Sequence, residues 1–135
     1  MIDHLGLDVG DYRKSRDFYA AALTPLGYDM KKELPAEAGA PDRAGFGDTH
    51  AIFWIAGGGP VERLLHFAFA AANREQVDAF YRAALGAGGR DNGAPGLRPH
   101  YHPHYYAAFV FDPDGHNIEA VCHAPGSPAD QTETF

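Results

Sequence analysis

The chain of 135 residues has one cysteine, one tryptophan, two methionines and no long apolar or basic run. The single cysteine, Cys122, cannot form a disulfide within the chain, which fits a reducing compartment and predicts a cytoplasmic protein. No apolar run approaches the roughly 20 residues of a membrane-spanning helix, and Asp3 and His4 interrupt any signal-peptide pattern. With 11 basic and 18 acidic residues the formal net charge is −7, so the composition predicts no nucleic-acid or membrane partner.

What the chain does contain is an internal repeat. Segments 2–7 and 64–69 share one apolar pattern and carry a histidine at the equivalent position, His4 in the first and His66 in the second. A Phe-Tyr pair and an Ala-Ala-Leu triplet recur at the same offset. Because repeats determine architecture, the two halves are predicted to fold alike and to place the two histidines at equivalent points.

Hydrophobic periodicity assigns the elements of each half. Helical stripes predict helices over 12–24 and between Asn73 and Gly86. Short apolar and alternating runs predict strands at 2–9, 28–34, about 43–48, 51–56, 63–70, 106–111 and 117–123. Segments rich in glycine, proline and polar residues predict loops at 35–41 and 92–105.

The fold class predicted from this order is α+β, with two tandem βαβββ modules. The modules cover residues 1–57 and 62–124, a glycine-rich turn separates them, and a polar tail follows at 125–135. A helix covers one face of each sheet, and the apolar alternation directs Leu5, Leu7, Phe67 and Phe69 toward it. His4 and His66 are therefore predicted on the free faces, where two curved sheets would enclose a cleft.

A carboxylate occupies the last predicted strand of the second half. Glu119 lies among apolar residues, where an ionised group is costly unless it is paired or bound to a metal. Aligning the ends of the two halves places Glu119 opposite Phe53, which cannot bind a metal. A cleft holding His4, His66 and Glu119 is thus a candidate metal site; the alternative is a pair of neutral histidines bonded to Glu119 without metal.

The repeat, its two histidines and the closing run D-P-D-G-H-N-I-E-A-V resemble the vicinal oxygen chelate superfamily over roughly residues 2–123. That superfamily includes glyoxalase I, extradiol dioxygenases, and fosfomycin- and bleomycin-resistance proteins. The resemblance implies one divalent metal ion held by His4, His66 and Glu119. Phe53 departs from the four-ligand pattern of glyoxalase I, and a His-His-Glu set is closer to extradiol dioxygenases and fosfomycin-resistance enzymes. Zn, Fe, Mn and Ni all fit these ligands.

Several residues near this predicted site are candidates for assisting roles. Tyr105 or Tyr106 would donate a hydrogen bond to a metal-bound oxygen, although both also fit a hydrophobic lead into the next strand. Glu119 is the candidate general base. The three histidines of the preceding loop are predicted to rim the cleft or reach solvent: His100, His102 and His104. Two further histidines follow tight turns and are predicted at the surface: His50 and His116.

Three functions remain open at this point. The leading hypothesis is a metal-dependent enzyme acting on a small oxygen-bearing substrate, with lyase, dioxygenase and resistance-type transferase chemistry unresolved. The alternative is a non-catalytic drug-binding protein of the bleomycin-resistance type, and the third is a duplicated domain without a ligand. The resemblance also implies a homodimer, because this superfamily often pairs modules across chains.

Overall fold

A computed structural model describes residues 2–126, so the predicted tail at 125–135 lies almost entirely outside the described residues. The elements follow in the order β1 (Leu5–Asp8), α1 (Tyr12–Leu23), a 3-10 turn (Thr24–Leu26), β2 (Asp29–Leu34), β3 (Arg43–Gly47), β4 (Phe53–Ala56), β5 (His66–Ala70), α2 (Arg74–Gly86), β6 (Arg90–Leu97), β7 (Tyr106–Phe111) and β8 (Asn117–Cys122). No helix in this part of the chain is long and apolar enough to span a membrane.

The two modules have the same topology. The first sheet has the order β1-β4-β3-β2 and the second the order β5-β8-β7-β6. In each, the first strand pairs in parallel with the last, and the remaining neighbours are antiparallel. The predicted duplicated α+β fold is confirmed. Both β1 and β5 are edge strands, so one side of each has no strand partner among the described residues.

Both helices begin at a side-chain cap, and α1 buries its whole predicted stripe. Asp11 accepts a hydrogen bond from the Lys14 amide, and Asn73 accepts one from the Gln76 amide, which satisfies backbone donors at each helix start. The residues of α1 that are buried are those of the predicted stripe: Ser15, Phe18, Tyr19, Ala22 and Leu23. In α2, three residues of the predicted stripe are buried, Val77, Phe80 and Ala84, whereas the other two, Tyr81 and Leu85, are partly buried against the core.

One aromatic core joins the modules. The Phe53 ring lies 4.9 Å from Tyr19 of its own module, and 5.4 Å and 5.2 Å from Phe67 and Phe69 of the other, between ring centroids. Such contacts add to the burial of apolar area that dominates folding. Each sheet therefore covers the shared core with one face and leaves the other face free.

The structure corrects one element prediction. Residues 90–97 form β6, whereas 92–105 was predicted as a loop. The sequence did not indicate this strand, because it contains residues that are rare in regular strands: Gly93, Pro95 and Gly96. The pairing of β6 with β7 shifts register at Gly93 and again before Gly96, which is how an edge strand accommodates such residues.

Candidate metal centre

The centre of the second free face is a buried carboxylate. Glu119 is 2% exposed and lies beside Ala68 of β5 and Phe109 of β7 in the strand register. Its Oε1 is 3.2 Å from Nε2 of His66, and its Oε2 accepts a hydrogen bond from the Tyr105 hydroxyl. A buried carboxylate needs such partners, since desolvation disfavours its charged form.

The hydrogen bond of Nδ1 determines which ring nitrogen of His66 carries a proton. Its Nδ1 lies 3.0 Å from the backbone carbonyl oxygen of Asn117, and a carbonyl only accepts, so Nδ1 carries a proton and donates. In the neutral ring Nε2 is then an unprotonated lone pair that faces a carboxylate oxygen. That contact is favourable only when His66 is protonated or when a cation lies between the two groups.

This donor set fits a divalent metal. Metal-binding histidines usually donate the second ring N–H to a carbonyl or carboxylate, as His66 does to Asn117. Two ligand atoms that are each about 2.1 Å from one ion lie roughly 3.0–3.4 Å apart in octahedral or tetrahedral geometry. The separation of 3.2 Å between His66 and Glu119 falls in that range. The residues present therefore fit a metal ion. Tyr105 orients the carboxylate by donating to Oε2, the oxygen that does not face His66.

Tyr105 remains a neutral hydrogen-bond donor over a wide pH range. Burial first, and then the hydrogen bond to Glu119 and its charge, raise the pKa of this phenol above its ordinary value. The rings of Tyr101 and His102 pack against Tyr105 with centroids at 4.9 Å and 5.4 Å. These rings line a depression with His66, Phe109 and Glu119.

His4 lies on the free face of the other sheet, in the residue before β1. Its side chain is 64% exposed, and its Nδ1 donates to Oδ1 of Asp3 at 2.7 Å. This hydrogen bond lowers the pKa of the Asp3 carboxyl. In the neutral ring, as in that of His66, Nε2 then carries the lone pair. His4 lines a different depression from that of His66 and Glu119, so a single chain brings together two of the three predicted ligands.

The strand register corrects the alignment of the two modules. Ala68 pairs with Glu119 in the second module, and the equivalent pair in the first is Gly6 with Trp54. The counterpart of Glu119 is therefore Trp54, whereas the sequence alignment placed Phe53 there. Phe53 is buried in the shared core. The first sheet thus has an indole, which is no metal ligand, at the position of the second sheet's carboxylate.

The other residues predicted near the site lie in three different environments. Tyr106 faces the core side, where its hydroxyl donates to Asp78 of α2 at 2.7 Å, so the structure does not bring it to Glu119. His102 Nε2 lies 2.7 Å from His123 Nδ1, with the two rings stacked beside Tyr105. His100 and His104 are exposed.

The prediction of a surface position for His116 is wrong. Its side chain is 1% exposed, and its Nδ1 accepts a hydrogen bond from the Leu65 amide at 2.9 Å. The preceding turn brings it beside Leu65, the residue before β5. The turn chemistry was recognised from the sequence, but the packing of that turn against the neighbouring strand was not.

Residues 2–126 contain one group of three or more histidine, cysteine, aspartate or glutamate residues whose candidate ligand atoms all lie within 4.8 Å of one another: Asp112, Asp114 and His116. The carboxylate oxygens of both aspartates already have partners, whereas Nε2 of His116 is buried with no hydrogen-bond partner among the described residues. Oδ1 of Asp112 accepts from the amides of Asp114 and His116, and Oδ2 accepts from Tyr19 at 2.5 Å. The Asp114 carboxylate accepts from the Gly10 amide of the first module. This turn therefore binds the two modules together, and its aspartates serve as caps.

Comparison with known proteins places these features in a family. The profile of the glyoxalase/bleomycin resistance protein/dioxygenase superfamily matches residues 1–120. No curated protein matches the chain. Among solved structures, a glyoxalase/bleomycin resistance protein from Albidiferax ferrireducens T118 is similar at 28% identity and a TM-score of 0.71, over 91% of this chain and 98% of that chain.

Two further solved structures share the fold at lower identity. A point variant of glyoxalase I from Zea mays has 20% identity and a TM-score of 0.68, over 94% of this chain and 46% of that one. A point variant of the fosfomycin resistance protein FosX from Listeria monocytogenes, in complex with Mn(II) and 1S,2S-dihydroxypropylphosphonic acid, has 17% identity and a TM-score of 0.63, over 98% and 95%. The chain therefore belongs to the glyoxalase/bleomycin resistance protein/dioxygenase superfamily.

Proposed function

We propose that the protein is a cytoplasmic, metal-dependent enzyme that acts on a small oxygen-bearing substrate. The observation that carries this proposal is the position of His66, whose Nε2 lies 3.2 Å from the buried carboxylate of Glu119 while its Nδ1 donates to a backbone carbonyl. A divalent ion held by these two groups would supply Lewis-acid polarisation of a substrate oxygen. The FosX structure with Mn(II), on the same fold, supports a metal in this superfamily.

The residues of the chain have distinct tasks in this proposal. Glu119 and His66 hold the ion, and the Asn117 carbonyl keeps His66 in the ligating tautomer. Tyr105 orients the Glu119 carboxylate and, because it remains protonated, keeps one carboxylate oxygen engaged. Glu119 is also the candidate base for proton transfer, since no second carboxylate among the described residues lines this depression.

We propose further that His4 of a second copy completes the site in a homodimer. His4 is exposed with its Nε2 free, and it precedes an edge strand, while His66 begins the edge strand of the other sheet. Four exposed apolar side chains flank the two histidines: Ile2, Leu5, Leu64 and Leu65. A two-fold pairing makes each such contact twice, so the first module of each copy would face the second module of the other.

Metal content tests this proposal. Purified protein is loaded with Zn, Mn, Fe or Ni, dialysed, and analysed for bound metal. The wild type is expected to retain about one ion per chain, whereas His66→Ala and Glu119→Gln each retain less than about a tenth. His104→Ala, an exposed histidine of the neighbouring loop, is the matched control and keeps its metal. Equal metal content in all four proteins would refute the site.

The substrate class follows from a second measurement. Hemithioacetals, catechols and epoxides are each offered with several divalent ions, and turnover is compared between wild type and Glu119→Gln. The expected result is turnover in one class that depends on both the metal and Glu119. A metal-independent small-molecule binder of the bleomycin-resistance type is the rival, favoured by the aromatic, carboxylate-free position of Trp54 on the first sheet. Ligand binding that survives metal removal, without turnover in any class, would favour that rival.

A further inference from the structure

The free face of the first sheet carries one large aromatic side chain, Trp54, between two glycines. Gly6, Trp54 and Gly45 are lateral neighbours on β1, β4 and β3. A Cβ on Gly45 would lie 2.8 Å and 2.9 Å from Cε2 and Cη2 of Trp54, so the indole extends over Gly45. A Cβ on Gly6 would meet no atom within 4 Å. The space above Gly6, beside the indole, is therefore open.

An arginine with an unsatisfied donor lies one row further along. Arg43, Ala56 and Asp8 are the next lateral neighbours on that face. Arg43 is half-buried, and its Nε is buried with no hydrogen-bond partner among the described residues. Arg43 takes part in none of the ion pairs that those residues form. A buried donor of this kind is satisfied by a ligand or a bound water, and a guanidinium matches a carboxylate best.

The two features share one depression. Trp54, Gly6 and Arg43 line a space of about 490 Å³, which lies in the size range of small-molecule sites. Asp8 also lines it, with the opposite charge. Ala56 separates Asp8 from Arg43, and strands lie about 4.8 Å apart, so the two backbones are roughly 10 Å apart. The depression therefore has an apolar centre and a positive end at Arg43.

We propose that this depression binds a small planar aromatic carboxylate. The aromatic ring would lie over Gly6 beside the indole of Trp54, and the carboxylate would accept hydrogen bonds from Arg43. This inference goes beyond the proposed function, because it names a ligand class for the first sheet's free face and its test uses metal-free protein. His4 lines the same depression, so in the proposed homodimer the ligand would lie beside the metal site that His4 completes. It assigns a ligand class to the face that carries His4 and lacks a carboxylate at the metal-ligand position.

The single tryptophan makes the test direct. Benzoate is titrated into the metal-free wild-type protein, and Trp54 fluorescence is followed. Small ligands of this size bind at about 1 mM or tighter when a charged contact is made. Benzamide, the uncharged analogue, is expected to bind at least about tenfold more weakly, because it lacks the charge-assisted hydrogen bonds to Arg43. Equal affinity for benzoate and benzamide, or no response to benzoate, would overturn the proposal.

Two substitutions locate the ligand. Arg43→Gln is expected to weaken benzoate binding about tenfold or more, whereas Arg82→Gln, on the surface of α2, leaves it unchanged. Gly6→Val fills the open space without strain, since Gly6 has no positive φ and valine suits a strand. It is expected to abolish benzoate binding with an unchanged Tm. Retained benzoate affinity in Arg43→Gln or in folded Gly6→Val would contradict the assignment.

The failure of this inference is distinguishable from failure of the proposed metal site. His66→Ala, which removes a proposed metal ligand on the other sheet, is expected to bind benzoate as the wild type does. Normal metal content in Gly6→Val together with lost benzoate binding would support both accounts independently. Loss of benzoate binding in folded His66→Ala would show that the ligand requires the second sheet as well, and would overturn the assignment to the first sheet.

Discussion

The first and second modules have one topology and two different free faces. The first sheet places Trp54 where the second places Glu119. Its histidine, His4, bonds to the exposed Asp3, whereas His66 bonds to the Asn117 backbone and faces Glu119. The core faces, by contrast, meet in one aromatic cluster. Duplication has therefore kept the residues that hold the fold, and the modules differ in the residues available for chemistry.

The largest expected effect is on stability, and it compares Phe53 and Trp54, neighbours on β4 that lie on opposite faces of the first sheet. Phe53→Ala opens a cavity in the shared core and is expected to cost about 3–5 kcal/mol of unfolding free energy. Trp54→Ala removes a half-buried ring from the free face and is expected to cost about 1–2 kcal/mol, because less apolar area leaves a buried environment. Urea unfolding followed by circular dichroism checks both values. A larger loss for Trp54→Ala would contradict the assignment of the two faces.

A second comparison uses the repeated tyrosines. Tyr19 is fully buried and donates to the buried Asp112, whereas Tyr81, its repeat counterpart, donates to the exposed Asp91 at 3.0 Å. Tyr19→Phe leaves a buried carboxylate oxygen without its donor and is expected to cost about 1–3 kcal/mol. Tyr81→Phe is expected to change stability by less than about 0.5 kcal/mol. Thermal and urea unfolding of the two variants, side by side, give the comparison; equal losses would contradict it.

The smallest expected effect is on alkaline stability. Burial raises the pKa of Tyr19 and of Tyr105, with a further rise from their carboxylate partners. The native state therefore holds these protons to a higher pH than the unfolded chain does. Their stabilising contribution is complete below about pH 10 and is lost as pH rises above it.

Urea unfolding between about pH 8 and pH 11 measures this contribution. The wild type is expected to lose stability above about pH 10, and Tyr105→Phe to lose less over the same interval because it carries one such group fewer. Tyr101→Phe, which changes an exposed neighbouring ring, is the control and follows the wild type. A steeper loss in Tyr105→Phe than in the wild type would reverse the sign and reject the interpretation.

The duplicated fold was predictable because periodicity and repetition are local signals. The helix stripes and caps follow from spacing alone, and the exposure of His4 and His66 follows from strand alternation. The counterpart of Glu119 was missed by one residue, because the strand register depends on pairing between β1 and β4. The burial of His116 was missed for a related reason, since a turn sequence does not indicate what the turn packs against. Sequence also could not indicate that His4 and Glu119 line separate depressions in one chain.

The most direct test of a metal site shared between two copies of the chain combines two variants that each bind little metal. His4→Ala and Glu119→Gln are co-expressed with different tags, and the doubly tagged protein is purified and assayed for bound metal. If ligands come from two copies, each mixed dimer has one intact site, with His4 from one chain and His66 and Glu119 from the other, and binds about one ion per dimer. Each variant alone binds little. Absence of metal in the mixed dimer, while the wild type binds it, would contradict the composite site.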